Sequence, residues 1–142
     1  VIFEADCLYE DECITKVFAP GLVNFSSWFT LGDFVSGQLG GILKADDSGA
    51  VKDVRIVLEY DERFQGYKKL IGILKVGPNE IKTYSDHLAE SVINDTRQYY
   101  LQPWIDNLPV LPSIETDLSS HRLGAFNSPE EYWNTLRLFE GL

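Results

Sequence analysis

Acidic side chains are concentrated in two short segments of this sequence. Two carboxylates held close together can perform acid–base catalysis, because one keeps its proton while the other is ionised. The two segments contain Asp6, Glu10, Asp11 and Glu12, and Glu59, Asp61 and Glu62. The sequence alone fixes no separation between any two of these groups. Since the chain has 22 acidic residues, we interpret both clusters as solvated edges of the protein.

Nucleophilic catalysis has candidate residues but no supporting motif. Ser119 and Ser120 precede His121, and Asp117 is close by in sequence. The members of a catalytic triad converge from separate segments, so neighbouring positions do not indicate one. A cysteine paired with a histidine is formally available from Cys7, Cys13, His87 and His121. The sequence contains no GxSxG motif, which makes a serine hydrolase a minor alternative.

Motifs for metals, nucleotides and other cofactors are missing as well. Cys7 and Cys13 lack the CxxC spacing of a zinc site, so we predict no metal site and no cofactor. The two cysteines either form a bridge in an oxidising compartment or remain free thiols. An EF-hand loop starting at Asp46 would place Ala50 and Val51 at its fifth and sixth positions, which excludes calcium binding of that type. The glycines at positions 37, 40 and 41 do not match GxGxxG.

Composition limits the classes of partner. The net charge of −10 repels phosphate backbones, so we predict no nucleic-acid binding. No apolar run reaches the roughly 18 residues that span a bilayer, so we predict no membrane insertion. The sequence contains no methionine and begins at Val1. We interpret this as the start of a processed chain and slightly favour a secreted or organelle-lumen location.

The elements that would position these residues begin with a block of strands. Alternating apolar residues predict a half-buried strand over residues 51–60, with Val54, Ile56, Leu58 and Tyr60 on the inner face. A glycine-interrupted strand is predicted over 34–44, joined to the first by a polar turn at 45–49. A third strand over 67–76 would complete a meander. Earlier strand sequence lies within 22–31.

Helical periodicity follows the strands. An apolar stripe that includes Ile81, Tyr84 and Tyr99 predicts a helix ending near residue 101, before Pro103. A final helix is predicted from Asn127 or Ser128, with Gly141 ending it. Between the two helices, residues 103–127 have no regular pattern but much aliphatic content. Such a segment either packs along its own domain or contacts a partner protein.

These patterns predict one domain over residues 1–142, with an α+β fold in which a curved antiparallel sheet packs against two helices. A partial barrel is a variant of this prediction. A cavity at the concave face of the sheet could bind an apolar or aromatic small molecule. Its candidate ligand-binding residues are Tyr60, Tyr84, His87 and Tyr99.

Two functional interpretations remain open at this point. The favoured one is a noncatalytic interaction or assembly domain, either a subunit of a larger complex or a processed surface protein, with a protein partner bound by the segment after Pro103. The candidate interaction residues are Trp104, Leu108, Val110, Leu111 and Ile114. The alternative is a small-molecule-binding half-barrel with isomerase- or lyase-like activity.

Overall fold

A mixed sheet of six strands forms the centre of the fold, and the predicted α+β class is confirmed. The computed structural model describes residues 1–97 and 99–140. The strands are β1 (Ile2–Phe3), β2 (Cys7–Tyr9), β3 (Ser27–Asp33), β4 (Gly40–Ala45), β5 (Val51–Val57), β6 (Lys68–Lys75), β7 (Ile114–Asp117) and β8 (Leu123–Ala125). The helices are α1 (Asp11–Val17), α2 (Ile81–Asn94), α3 (Gln102–Ile105) and α4 (Pro129–Arg137). Short 3-10 turns lie at Pro20–Leu22 and Glu62–Phe64.

The large sheet has the order β5-β4-β6-β3-β7, and β1 also pairs with β6. Strand β6 is antiparallel to β3 along one edge. Its other edge is shared, because β4 pairs at Lys68 and Lys69 whereas β1 pairs at Ile73 and Leu74. Strand β7 runs parallel to β3. The sheet is therefore mixed, and it does not close into the partial barrel that we considered.

The predicted hairpin is confirmed, since β4 and β5 are antiparallel neighbours. The Asp46 carboxylate accepts hydrogen bonds from the backbone N–H groups of Ser48 and Ala50, which stabilises the turn. The predicted strand over 34–44 is shorter and begins at Gly40. Gly37 and Gly40 have φ values of 89° and 96°, and this left-handed backbone interrupts the strand.

The burial predicted for the strand over 51–60 is wrong at Ile56 and Leu58, whereas Tyr60 is half-buried against Phe34. Ile56 is 44% exposed and Leu58 is 90% exposed. Strand β5 ends at Val57 and lies at the edge of the sheet, where less of the fold covers it. The predicted meander is also wrong, because β6 pairs with β4 and β3 instead of β5.

Helix α2 is shorter than predicted and ends at Asn94, well before Pro103. Asp95 then adopts extended backbone, and its carboxylate accepts a hydrogen bond from the N–H of Arg97. Helix α4 starts as predicted: Ser128 is the N-cap, and its hydroxyl accepts from the N–H of Glu131. Gly141, the predicted end of this helix, lies outside the described residues.

The segment over 103–127 contains regular structure that its sequence pattern does not predict, namely most of α3 together with β7 and β8. Strand β7 pairs with β3, and β8 pairs with β2 in a separate two-stranded sheet. The indole of Trp104 packs edge-on against Trp28 with 6.1 Å between ring centroids. This segment therefore builds the main core together with the sheet.

Within residues 1–97 and 99–140, no helix has the length and apolar character needed to cross a membrane.

Candidate functional site

The residues between β1 and β2 bring several donor groups together, and we call Glu4–Cys7 the acidic turn. One donor atom each from Glu4, Asp6 and Cys7 lies within 4.8 Å of the others. Strand β1 directs the turn, since it pairs with the far end of β6 and the N–H of Glu4 donates to the carbonyl of Gly72 over 2.7 Å. A Cβ atom at position 72 would overlap the Glu4 side chain, so glycine is needed there.

A small cleft of about 60 Å³ lies where β6 passes from its pairing with β4 to its pairing with β1. Its walls include Glu4, Gly41, Lys69 and the Tyr99–Tyr100 pair. Both tyrosine hydroxyls donate to the same carboxylate oxygen of Glu4, the one from Tyr100 over 3.1 Å. Glu4 is thus held by two phenols in an opening of the sheet.

The Lys69 ammonium group lies at the part of the β6 edge that pairs with neither β4 nor β1. Its Nζ donates to the carbonyl oxygens of Leu70 at 2.9 Å and Gly41 at 3.4 Å. Burial lowers the pKa of Lys69, and the charge of Glu4 opposes that shift. Lys69 therefore caps the strand edge and interacts with the charge of Glu4, and no ion pair within 4.0 Å among the described residues includes Lys69.

On its other side the acidic turn meets the start of α4. The N–H of Phe126 donates to the carbonyl of Asp6 over 2.9 Å and ties the turn to the β8–α4 connection. A surface depression of about 480 Å³ is lined here by Asp6, Asn127, Ser128 and Tyr132. Asp6 and Asn127 thus line the same depression.

Within the described residues, the two carboxylates of the acidic turn form no close ion pair, although the charges of Glu4 and Lys69 interact. Among residues 1–97 and 99–140, the eight ion pairs include neither Glu4 nor Asp6. Burial raises the pKa of Tyr99 and of Tyr100, and the Glu4 carboxylate adds to both shifts. Both phenols therefore keep their protons at neutral pH and serve as hydrogen-bond donors. The turn presents negative charge that a bound cation could neutralise.

Of the four predicted ligand-binding residues, the structure places only Tyr99 at this site. Tyr84 is buried, packs on Trp104 and donates its hydroxyl to the Tyr100 carbonyl. Tyr60 packs on Phe34, in a different hydrophobic cluster. His87 lines a separate depression beside Pro103. The structure therefore does not bring these four residues together, and the sheet does not close into a barrel around them.

The predicted interaction residues are divided between core and surface. Trp104 and Leu111 are 0% exposed and belong to the main core, so they can contact no partner in the folded domain. Leu108 and Ile114 are half-buried. Val110 is 58% exposed.

The candidate serine triad does not assemble, whereas Cys13 and His121 of the candidate cysteine–histidine pairs do lie together, with ligand atoms within 4.8 Å of each other. The Ser119 hydroxyl donates to Asp117, while His121 bonds through Nδ1 to Glu10 at 2.9 Å. Cys7 and Cys13 are free thiols. The interpretation of Asp6 as part of a solvated edge was incomplete, and Glu4, Lys69 and Asn127 were missed. The local signal for this site in the sequence is Asp6, an aspartate that closely follows the short apolar strand β1.

No family model matches this chain, and no curated protein matches it in sequence. The fold is similar to a solved structure, the CTP:phosphocholine cytidylyltransferase LicC from Streptococcus pneumoniae, with a TM-score of 0.74 and 12% identity. The match covers 97% of this chain and 56% of that structure. At this identity the likeness shows the fold. The chain spans a little over half the length of the protein that it resembles.

This likeness corrects the favoured functional interpretation. A noncatalytic assembly domain was predicted because the sequence lacks local catalytic motifs, whereas the solved structure that shares this fold is an enzyme, a cytidylyltransferase. The prediction was wrong because it treated the absence of motifs as absence of chemistry. Glu4 and Lys69 line the cleft while Asp6 and Asn127 line the depression, and no short sequence motif contains these residues.

Proposed function

We propose that this chain forms part of the active site of a nucleotidyltransferase that joins a nucleoside monophosphate to a phosphorylated small molecule. The observation that carries the proposal is the acidic turn, whose Asp6 has no ion-pair partner in the part of the chain that the structure describes and lines a depression at the start of α4. It lies in a chain with the fold of a cytidylyltransferase. Because the chain spans 56% of that structure, the whole reaction remains a proposal.

In the proposed reaction, a phosphate oxygen of the acceptor attacks the α-phosphorus of the nucleoside triphosphate. The bond between the α-phosphorus and the bridging oxygen breaks, and diphosphate leaves with that electron pair. Such a transfer requires positioning and charge neutralisation more than covalent chemistry by the protein.

The residues at the depression fit a magnesium ion of the kind that accompanies a nucleoside triphosphate. Magnesium takes oxygen ligands and is commonly held by one or two carboxylates together with substrate phosphates. Asp6 and Asn127 supply a carboxylate and an amide oxygen on the same depression, so these two residues would hold the ion. When bound, magnesium neutralises charge on the phosphates.

The cleft at Glu4 is lined by this carboxylate and by Lys69, so it favours an acceptor that carries a positively charged group as well as its phosphate. Glu4 is a carboxylate held by two phenols, and the rings of Tyr99 and Tyr100 lie 4.8 Å apart by their centroids. A cation near aromatic rings and a carboxylate is stabilised by both. This supports an acceptor such as phosphocholine, the substrate in the name of the similar enzyme, or phosphoethanolamine.

Diphosphate release measures the proposed activity directly. The purified protein is supplied with magnesium and with CTP, ATP, GTP or UTP, each paired with phosphocholine, phosphoethanolamine or glycerol phosphate. We expect release that depends on both substrates and prefers a cationic acceptor. Asp11→Asn is the matched control for Asp6→Asn, since Asp11 is an exposed acid on α1 away from the cleft. Absence of release with every pair, by folded protein, would contradict the proposal.

A further inference from the structure

A second cluster of metal-binding groups lies outside the proposed active site. We propose that Glu10, Cys13 and His121 form a site for zinc or a similar thiophilic divalent cation, which fastens α1 to the β7–β8 connection. One ligand atom from each residue lies within 4.8 Å of the others. The site does not depend on the proposed nucleotidyl transfer.

The three groups come from two segments that are distant in sequence but locked together by the backbone. Glu10 precedes α1, and its N–H donates to the carbonyl of Arg122 over 3.1 Å. Cys13 lies in the first turn of α1 and is fully buried, with its Sγ 3.9 Å from the same carbonyl. His121 follows β7 and has Nδ1 2.9 Å from Oε1 of Glu10. The ligand atoms are thus positioned before any metal binds.

This donor set matches zinc better than magnesium or calcium. Zinc accepts sulfur, imidazole nitrogen and carboxylate oxygen in tetrahedral sites, whereas the two harder cations prefer oxygen alone. One thiolate and one carboxylate would balance the two positive charges of the ion, which makes a largely buried site feasible. The side chains of Glu10 and His121 are only 13% and 21% exposed.

Arg122 keeps Glu10 in place without using the ligand oxygen. Its Nε bonds to Oε2 of Glu10 at 3.0 Å, whereas His121 bonds to Oε1. A cation bound to Oε1 can therefore leave the arginine contact intact, as an outer partner that orients the carboxylate. His121 also lines a cavity of about 460 Å³ beside Lys16 and Phe18, from which water could supply a fourth ligand.

Metal binding sets the protonation states of Cys13 and His121. The Cys13 thiol releases one proton to solvent, because the thiolate is the zinc ligand. A neutral His121 that binds through Nδ1 carries its remaining proton on Nε2. Apart from the S–H bond of Cys13, no covalent bond of the chain is made or broken.

Cobalt(II) is the probe, because a cobalt–thiolate bond produces a charge-transfer absorption that identifies cysteine as a ligand. Metal-free protein is titrated with cobalt and then with zinc, which should displace the cobalt. We expect one equivalent of cobalt per chain and a charge-transfer band. His121→Gln should weaken binding at least about tenfold, the smaller loss typical for groups that support a metal site.

Control variants separate this site from the acidic turn, where Cys7 lies close to Glu4 and Asp6. Cys7→Ser should leave the band and the affinity unchanged, whereas Cys13→Ser should remove the band. Circular dichroism confirms that each variant is folded, and His121→Gln provides the test if Cys13→Ser does not fold. A band that is lost with Cys7→Ser but kept with His121→Gln would overturn the proposal. Failure to bind cobalt or zinc near stoichiometric concentration would overturn it as well.

Discussion

The acidic turn and the Glu10 cluster both contain carboxylates near a cysteine, but they differ in how far neighbouring groups compensate the negative charge. Glu10 bonds to Arg122 and His121 through its two oxygens, at 3.0 and 2.9 Å. Glu4 has two neutral phenol donors, and Asp6 has no ion-pair partner among the described residues. The first arrangement is internally compensated, whereas the second leaves negative charge at an opening.

This difference separates a group that holds the fold together from one that is available to a ligand. Removing a carboxylate that is paired with an arginine destabilises the fold, because the arginine is left without its partner. Removing a carboxylate that has no such partner changes the stability of the fold little, because its interaction is made when a substrate or a cation binds. The two clusters therefore predict opposite responses to mutation, in activity and in stability.

The largest expected effect is on catalysis, from Asp6→Asn. We expect kcat/KM for the proposed transfer to fall about 10²–10³-fold, the loss typical when one preorganised electrostatic group is removed. The melting temperature should stay close to that of the unmodified protein, since Asp6 has no ion pair to lose. Diphosphate release and thermal unfolding measure the two quantities. A large fall in melting temperature with activity retained would reverse the roles of the two clusters.

A smaller effect on substrate affinity is expected from Tyr100→Phe. Removal of this hydroxyl leaves Glu4 with Tyr99 as its phenol donor and displaces the carboxylate. We expect KM for the acceptor to rise about tenfold, since hydrogen bonds to charged groups contribute roughly 1.5–3 kcal/mol, while KM for the nucleotide is unchanged. Tyr60→Phe is the control, because Tyr60 packs on Phe34 away from the cleft. An equal rise in both KM values would argue against a separate acceptor cleft.

Glu10→Gln should affect stability and leave the chemistry intact. The substitution keeps the shape of the side chain but removes the charge that Arg122 and His121 bind. We expect the melting temperature in chelator-containing buffer to fall by a few degrees, as small losses of stability do in a domain of this size, with kcat unchanged. Asp11→Asn serves again as a control at an exposed acid. A fall in kcat without a change in melting temperature would contradict the structural role of Glu10.

The smallest effect concerns the dependence of stability on pH. The hydrogen bond from Arg122 is the main reason that the pKa of Glu10 lies below its ordinary value of 4.5; burial opposes it and the bond from His121 assists it. A carboxyl group whose pKa is lowered by folding stabilises the protein above its unfolded pKa and loses that contribution as pH falls. Glu10→Gln should therefore melt closest to the unmodified protein at the most acidic pH. Thermal unfolding from pH 7 down to pH 3 measures this, and a constant difference across the range would contradict it.

The sequence predicts the local elements of this fold better than its site. The turn at Asp46 and the cap at Ser128 were correctly predicted because each depends on hydrogen bonds within a few residues. The length of α2 and the exposure of Leu58 were not, since both depend on what the rest of the chain covers. At the site, Tyr99 was named for its position and Asp6 only as part of a charged edge. Neither the helical spacing that includes Tyr99 nor the acidic cluster that includes Asp6 indicates that these two residues lie close to Glu4.

What the sequence by itself determined is the α+β class, the β4–β5 hairpin, the start of α4 and a negative surface, because these follow from period, turn chemistry and composition. The tertiary structure alone decided which acids are compensated. Arg122 reaches Glu10 because β8 pairs with β2, across more than 100 residues of chain. Glu4 meets Tyr100 because β1 and β4 share one edge of β6 and leave a gap between them. Contacts between such distant segments depend on strand pairing, which no short pattern of residues encodes.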